Sequence, residues 1–282
     1  MAEFEPSKAY VAQGDVYHDD GREIRLLHYV YSRPDLDEIR GSPAKVLAAI
    51  DDYGRTVAYL MNVGEHKGEI VRRLIVETKP EVMVELGGYV GYSAILFGAA
   101  LQQAGGRKFL SLERNPEYAA VASSLIDLAG LSSFVKIIIG SCQDSIRRLH
   151  SAGELSLIGM LFLDHWKPAY VPDLKLCEQL GLIRPGTVLA ADNVIKPGNP
   201  PYLEYVRSSV EDKKKAMAAQ TETQSSDKKW LDEYEKREGA EKLDMTAQGD
   251  PCLVYESKLI KSWEPTGVPD GVEVTRCVGK ES

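Results

Sequence analysis

Residues 82–93 read VMVELGGYVGYS. Five residues fit for a buried strand lead into a turn holding three glycines, and an amphipathic stretch follows. A strand that passes to a helix through glycine opens a β-α unit. The same alternation continues downstream. The apolar runs VMVEL, KFLSLE, VKIIIG, GMLFLD and GTVLAAD are each followed by helix-like stretches, SAILFGAALQQA, PEYAAVASSLIDLAG, CQDSIRRLH, VPDLKLCEQLGL and PPYLEYVRSSV. Five units in a row predict five parallel strands with right-handed crossovers and helices on both faces, a doubly wound α/β sheet.

Upstream, REIRLLHYVYSR, SPAKVLAAIDDYGRTVAYLM and KGEIVRRLIVET carry apolar residues at three- and four-residue intervals, so extra helices precede the sheet. Residues 1–20 read as a loose polar lead-in, and 21–282 as one domain. Within it, residues 209–249 are rich in Lys, Glu, Asp, Gln and Ser. They read as a charged insertion, an exposed helix or a mobile segment facing water. CLVYESKLIKSW and GVEVTRCV, around the loop EPTGVPD, predict a C-terminal hairpin at the sheet edge.

The chain has 282 residues, 44% of them apolar and 27% charged, with a net charge of −8. Acidity of that size argues against nucleic acid and anionic membrane as partners, since both need concentrated positive surface. A small molecule is the expected partner. Cys142, Cys177, Cys252 and Cys277 are too far apart for a structural zinc site or a disulfide scaffold and read as reduced thiols. No run approaches the roughly 20 apolar residues of a membrane span. A cytoplasmic location is the expectation, with a monomer or weak homodimer.

In doubly wound sheets ligands bind outside the carboxyl ends of the strands, at the point where the strand order reverses. There Gly87, Gly88 and Gly91 permit a tight turn and close backbone approach, and Ser93 can cap the next helix. The spacing is not GxGxxG and no Lys follows, which disfavours dinucleotides and nucleoside triphosphates. Glu113 ends the second strand 26 residues after Gly87. It suits the two hydroxyls of a ribose, or else is a helix-start carboxylate ahead of Asn115 and Pro116. GSCQD ends the third strand with small polar residues that suit an adenine edge, Cys142 being filler there rather than a nucleophile.

The fourth strand delivers Asp164, and the fifth delivers Asp192 and Asn193. Adjacent parallel strands bring these together, and two carboxylates with an amide oxygen are hard ligands that suit Mg²⁺. The other reading of Asp164 is a helix N-cap. Two carboxylates held close repel unless a cation lies between them. His165 and Trp166 can pack against a nucleoside base, and Lys167 can reach a metal-bound substrate. Their plainer readings are a structural histidine, a core tryptophan and a surface lysine.

Taken together, MNVGEHKG, VELGGYVGYSA, LERNPEYAA, GSCQD, LFLDHWKPAYVPD and GTVLAADNVIKPGNP resemble the catechol O-methyltransferase family, in order from about residue 22 to 208 and again near DGVEV. The resemblance implies a Rossmann-like class I methyltransferase fold, S-adenosylmethionine (SAM) and Mg²⁺ as cofactors, and methylation of one catechol hydroxyl. It makes Asp164, Asp192 and Asn193 metal ligands and Lys167 the general base. Val63, Glu85, Gly87, Tyr89, Ser93, Glu113, Gln143, Asp164, His165 and Trp166 match SAM-holding positions. Cys142 replaces a hydroxyl residue beside the adenine. Glu264, with Glu256 as the fallback, would hold the second catechol hydroxyl. Tyr59, Met61, Pro197 and Trp263 would frame the ring, with Lys167 and Asn193 also touching substrate. The long charged insertion has no counterpart in the family. A related cation-dependent enzyme for larger diphenols and a non-catalytic SAM-binding protein are the alternatives.

Overall fold

A computed structural model of the chain describes residues 3–220 and 243–281. Strand β1 (Val82–Leu86) is buried at all five positions. A strand of that kind belongs at the centre of a sheet covered on both faces. It pairs in parallel with β2 (Lys108–Glu113), which pairs in parallel with β3 (Val135–Ile139). On its other side lies β4 (Met160–Leu163), then β5 (Val188–Ala191), again parallel. The hairpin β6 (Leu253–Trp263) and β7 (Pro269–Lys280) completes the sheet, β7 lying antiparallel to β5. The order is β3-β2-β1-β4-β5-β7-β6. Five parallel strands with a C-terminal hairpin are what the sequence predicts.

Four helices precede the sheet: α1 (Arg22–Tyr31), α2 (Leu36–Ile39), α3 (Pro43–Thr56) and α4 (Gly64–Thr78). The crossovers are α5 (Tyr92–Gln103), α6 (Pro116–Leu128), α7 (Cys142–Ser151), α8 (Tyr170–Gln179) and α9 (Pro200–Arg207). Their starts follow local chemistry. Asn115 accepts from the Glu117 and Tyr118 amides with Pro116 in the first turn, and Ser141 accepts from the Asp144 amide. Strand side chains alternate between two cores. Met83, Phe109, Phe162 and Ala190 pack with Ile50, Val71, Ile95 and Val121 of the helices on one face. Val84, Leu110, Leu161 and Leu189 pack with Ile146, Leu174 and Val206 on the other.

Of the charged insertion expected over 209–249, residues 221–242 lie outside the described residues. Before them runs α10 (Val210–Gln220). Residues 3–20, expected to be a loose lead-in, contact the body: Tyr10 is buried, and its hydroxyl donates to Asp51. The four cysteines are free thiols. Among the described residues no helix is long and apolar enough to cross a membrane.

The chain runs from β1 outward to β3, then returns to place β4 on the other side of β1, so the order reverses between β1 and β4. Backbone bonds continue past the strands there: Gly87 N to Leu112 O, Asp164 N to Leu86 O and Asp192 N to Leu163 O, at 2.9, 3.0 and 2.9 Å. This row of bonds aligns Glu113, Gly87, Asp164 and Asp192 along one rim. Gly87 has φ +93°, and a Cβ there would lie 2.6 Å from the Asp164 carbonyl oxygen. The glycine is therefore demanded by the approach of two strands before any ligand is considered. Gly87→Ala is expected to lower stability by about 2 kcal/mol or more. A urea midpoint equal to that of the unaltered protein would show that the turn absorbs the methyl group.

Candidate active site

The densest feature of the rim is a buried ion cluster centred on Lys67. This residue lies on the apolar stripe of α4 with Gly64, Gly68, Val71, Leu74 and Ile75, and its side chain has no solvent exposure. Its Nζ lies 2.8 Å from Asp192, 2.7 Å from Glu264 and 2.9 Å from Asp270. Burial alone would lower the pKa of this ammonium, yet the three carboxylates raise it above the ordinary lysine value. A second ammonium, Lys167 Nζ, lies 3.2 Å from Asp164 Oδ1 and 2.8 Å from Asn193 Oδ1. It also donates to the Tyr170 hydroxyl at 2.8 Å. Asn193, with φ +57°, turns its amide so that Nδ2 donates to Glu264 at 2.6 Å.

Four carboxylates thus face two ammonium groups. Burial pushes the Asp164 carboxyl up to about 7, the Lys167 ammonium opposing and the Asp192 carboxylate assisting. Glu264 is pushed up to about 8 by burial and the Asp192 charge against the pull of Lys67. In the ion-free protein, protons relieve the excess negative charge. A divalent cation between Asp164, Asp192 and Asn193 would relieve it without them, and three oxygen donors of this hardness fit Mg²⁺. The expected trio is brought together, and Glu264 joins it. Glu256 does not, being exposed on β6. Lys67 and Asp270 were missed by sequence reasoning. The available signal was a lysine within the apolar stripe of a helix.

The second half of the rim surrounds the glycine turn. Glu113 Oε2 accepts from the Gly88 and Tyr89 amides at 3.1 and 2.7 Å, and its Oε1 accepts from the Asn115 amide at 2.7 Å. This is the geometry of the helix-start reading of Glu113, the carboxylate tying the glycine turn to the helix start. Glu85 is fully buried, receives the Ser111 hydroxyl at 2.5 Å, and is pushed up to about 8 by burial, with Ser111 and Ser93 opposing. Among the described residues its Oε1 has no hydrogen-bond partner, and neither has His165 Nδ1. Such buried open atoms fit a ligand rich in amine and hydroxyl groups, as SAM is.

His165 Nε2 lies 2.9 Å from Asp173, and the ring stacks on Tyr170 at 4.9 Å. Cys142 Sγ, a His165 ring nitrogen and an Asp173 oxygen lie within 4.8 Å of one another. Burial pushes the Cys142 thiol up, consistent with a filler and not a nucleophile. The Gln143 amide is paired in both directions with the Asp244 backbone at 3.0 Å. That contact ties α7 to the last residues of the insertion. Tyr89 donates to Glu23 of α1 at 2.8 Å, and Ser93 and Val63 are buried at the starts of α5 and α4. Tyr59 stands near Glu264 and Lys67, whose charges act on its hydroxyl, and Met61 is half-buried beside it in sequence. Pro197 is exposed, and Trp263 is half-buried at the end of β6.

A model of the O-methyltransferase family matches residues 48–222. The catechol O-methyltransferase of Bos taurus is 44% identical over 188 residues, 67% of this chain and 67% of that protein. That of Mus musculus is 44% identical over 190 residues, 67% and 69% of the two chains. Among solved structures, an O-methyltransferase of Streptomyces achromogenes involved in tomaymycin synthesis, in complex with SAM, superposes with a TM-score of 0.52 at 19% identity, covering 92% of this chain and 96% of that one. At that identity the likeness concerns the fold.

Two outcomes follow from the buried cluster. Lys67→Met leaves three carboxylates without their ammonium and should cost about 3 kcal/mol or more in urea unfolding. A cost below about 1 kcal/mol would remove Lys67 as the organising charge. Asp164, Glu264 and Glu85 hold protons in the fold at pH values where unfolded carboxyls, with ordinary values of 3.8 and 4.5, have released them. Their stabilisation is complete below those ordinary values and is lost as pH rises through about 7 and about 8. In EDTA the Tm should therefore fall between about pH 5 and about pH 8 and level off above that, and a Tm that rises over this range would contradict the assignment.

Proposed function

Because the chain belongs to the O-methyltransferase family, we propose that it transfers the methyl group of SAM to one hydroxyl of a catechol with Mg²⁺ as its resident cation. The observation that supports this best is the part-buried rim of four carboxylates and two ammonium groups at the carboxyl ends of β4 and β5, next to the glycine turn. When bound, the cation supplies a field that lowers the pKa of a catechol hydroxyl, and SAM supplies the electrophilic methyl group.

The chain's own residues do the rest. Asp164, Asp192 and Asn193 would hold the cation. Lys167 Nζ, within 3.2 Å of Asp164 and 2.8 Å of Asn193, stands where its neutral amine form would take the proton of the reacting hydroxyl and become the ammonium. Glu264, hydrogen-bonded to Asn193, would receive the second hydroxyl. Tyr59, Met61, Pro197 and Trp263 would frame the ring. Glu113, Glu85, His165, Trp166 and the turn from Gly87 to Gly91 would hold the methyl donor, with Cys142 beside its adenine. Fixing both reactants in one place contributes much of the barrier reduction in such a transfer.

Transfer from labelled SAM to a simple catechol should require Mg²⁺ and stop in EDTA. Equal transfer with and without EDTA would remove the cation from the reaction. Lys167→Ala should lower kcat about 100-fold or more while leaving the SAM dissociation constant unchanged, and an unaltered kcat would remove Lys167 as the base. Independently of turnover, Mg²⁺ should raise the Tm near pH 8, and the rise should vanish in Asp192→Ala. A rise of equal size in that variant would place the cation elsewhere.

A further inference from the structure

We propose that Phe4 is a positioning residue for the acceptor end of the site, acting through Trp263 and the turn that carries Glu264. The inference rests on the catechol reading above, but Phe4, Tyr10 and the β6–β7 turn lie outside residues 48–222 that the family model matches.

The turn between β6 and β7 is held from two sides. On one side, Pro265 sits against Gly64 at the start of α4, where a Cβ on Gly64 would meet the proline ring at 2.6 Å. On the other side lies the N-terminal strap. Tyr10 N donates to Pro265 O at 2.9 Å. The Tyr10 ring packs so closely on Gly54 that a Cβ there would lie 2.5 Å from it, and its hydroxyl donates to Asp51 at 2.5 Å. The strap is therefore anchored on α3 and bonded to the turn.

Phe4 lies at the free end of this clamp. Its ring centroid is 5.9 Å from that of Trp263 and 5.4 Å from that of His66. It also covers Gly267, where a Cβ would lie 2.6 Å from the Phe4 ring. Trp263 and His66 are the chain neighbours of Glu264 and Lys67, whose side chains pair at 2.7 Å. One aromatic ring thus packs against the side chains of the two residues that immediately precede this ion pair in the chain. The turn itself is closed by Glu264 N to Val268 O and Gly267 N to Glu264 O, both 2.8 Å. A hairpin tip is ordinarily where motion concentrates, and motion of Glu264 would weaken acceptor binding directly. The strap fixes the tip before the acceptor arrives. Lys8, by contrast, makes exposed ion pairs with Glu5 and Glu65 at 3.3 Å and contributes little to this.

The test uses the full chain as Phe4→Ala, Phe4→Tyr and Lys8→Ala, and reads catechol KM, SAM dissociation constant and amide exchange at Glu264 and Gly267. Phe4→Ala should raise the catechol KM about fivefold, leave the SAM constant unchanged and speed exchange of those two amides. Phe4→Tyr should restore all three values, and Lys8→Ala should leave them as they are. Unchanged KM and exchange in Phe4→Ala would overturn the proposal. So would a loss in which catechol KM and SAM affinity worsen together, as a merely structural role would give. If the unaltered protein transfers no methyl group to catechol, the functional reading fails, while exchange at Glu264 and Gly267 still decides whether Phe4 holds the turn.

Discussion

Lys67 lies 125 residues from Asp192, 197 from Glu264 and 203 from Asp270, yet its ammonium contacts all three with no access to water. A charge removed from water in this way persists only where paired charges and hydrogen bonds replace its hydration. Those partners come from the end of β5, the β6–β7 turn and the start of β7, while Lys67 itself comes from a helix that precedes the sheet. The pairing therefore fixes how α4 and the C-terminal hairpin meet the carboxyl ends of the parallel strands. Asn193 depends on it too, because its amide reaches Glu264 at 2.6 Å and Asp270 at 3.2 Å.

From that constraint the chemistry of the rim follows. Lys67 engages Asp192, Glu264 and Asp270, while Lys167 engages Asp164 and Asn193, so the two ammonium groups divide the cluster and leave it short of positive charge. Protonation of Asp164 and Glu264 and the proposed binding of a dication are two answers to the same imbalance. In the proposed reaction this couples metal binding to proton release, on the face where the acceptor must lose its own proton. The glycine turn and Glu113 stand at the reversal of strand order, so donor and acceptor would meet across β1 and β4.

Much of this was legible in the residues. The alternation of strand and helix from Val82 onward specified the parallel sheet, since a strand buried on both faces and its crossover helix have different apolar periods. Asp164 at the end of an apolar run marked the rim, and strand adjacency alone brought Asp192 beside it. Counting back from DGVEV arrived at Glu264, which the structure places in the cluster, while Glu256 is exposed on β6. What stayed hidden is what depends on contacts distant in sequence. Lys67 interrupts an apolar stripe, a visible anomaly, but no local pattern names partners more than a hundred residues away. Gly87 read as a tight turn with close backbone approach, but the residue approached, the Asp164 carbonyl, could not be named from the turn alone. Phe4 and Tyr10 are isolated aromatics in a polar run, and a strap of that kind has no periodicity to reveal it.

The central claim is that the excess negative charge around Lys67 and Lys167 forms the seat of a divalent cation. Anomalous diffraction from crystals soaked in Mn²⁺, an oxygen-preferring stand-in for Mg²⁺, tests it most directly. The account predicts one strong peak bounded by Asp164, Asp192 and Asn193, with the Lys67 ammonium still on Glu264 and Asp270. No peak there at saturating Mn²⁺, or a peak instead among Cys142, His165 and Asp173, would contradict it.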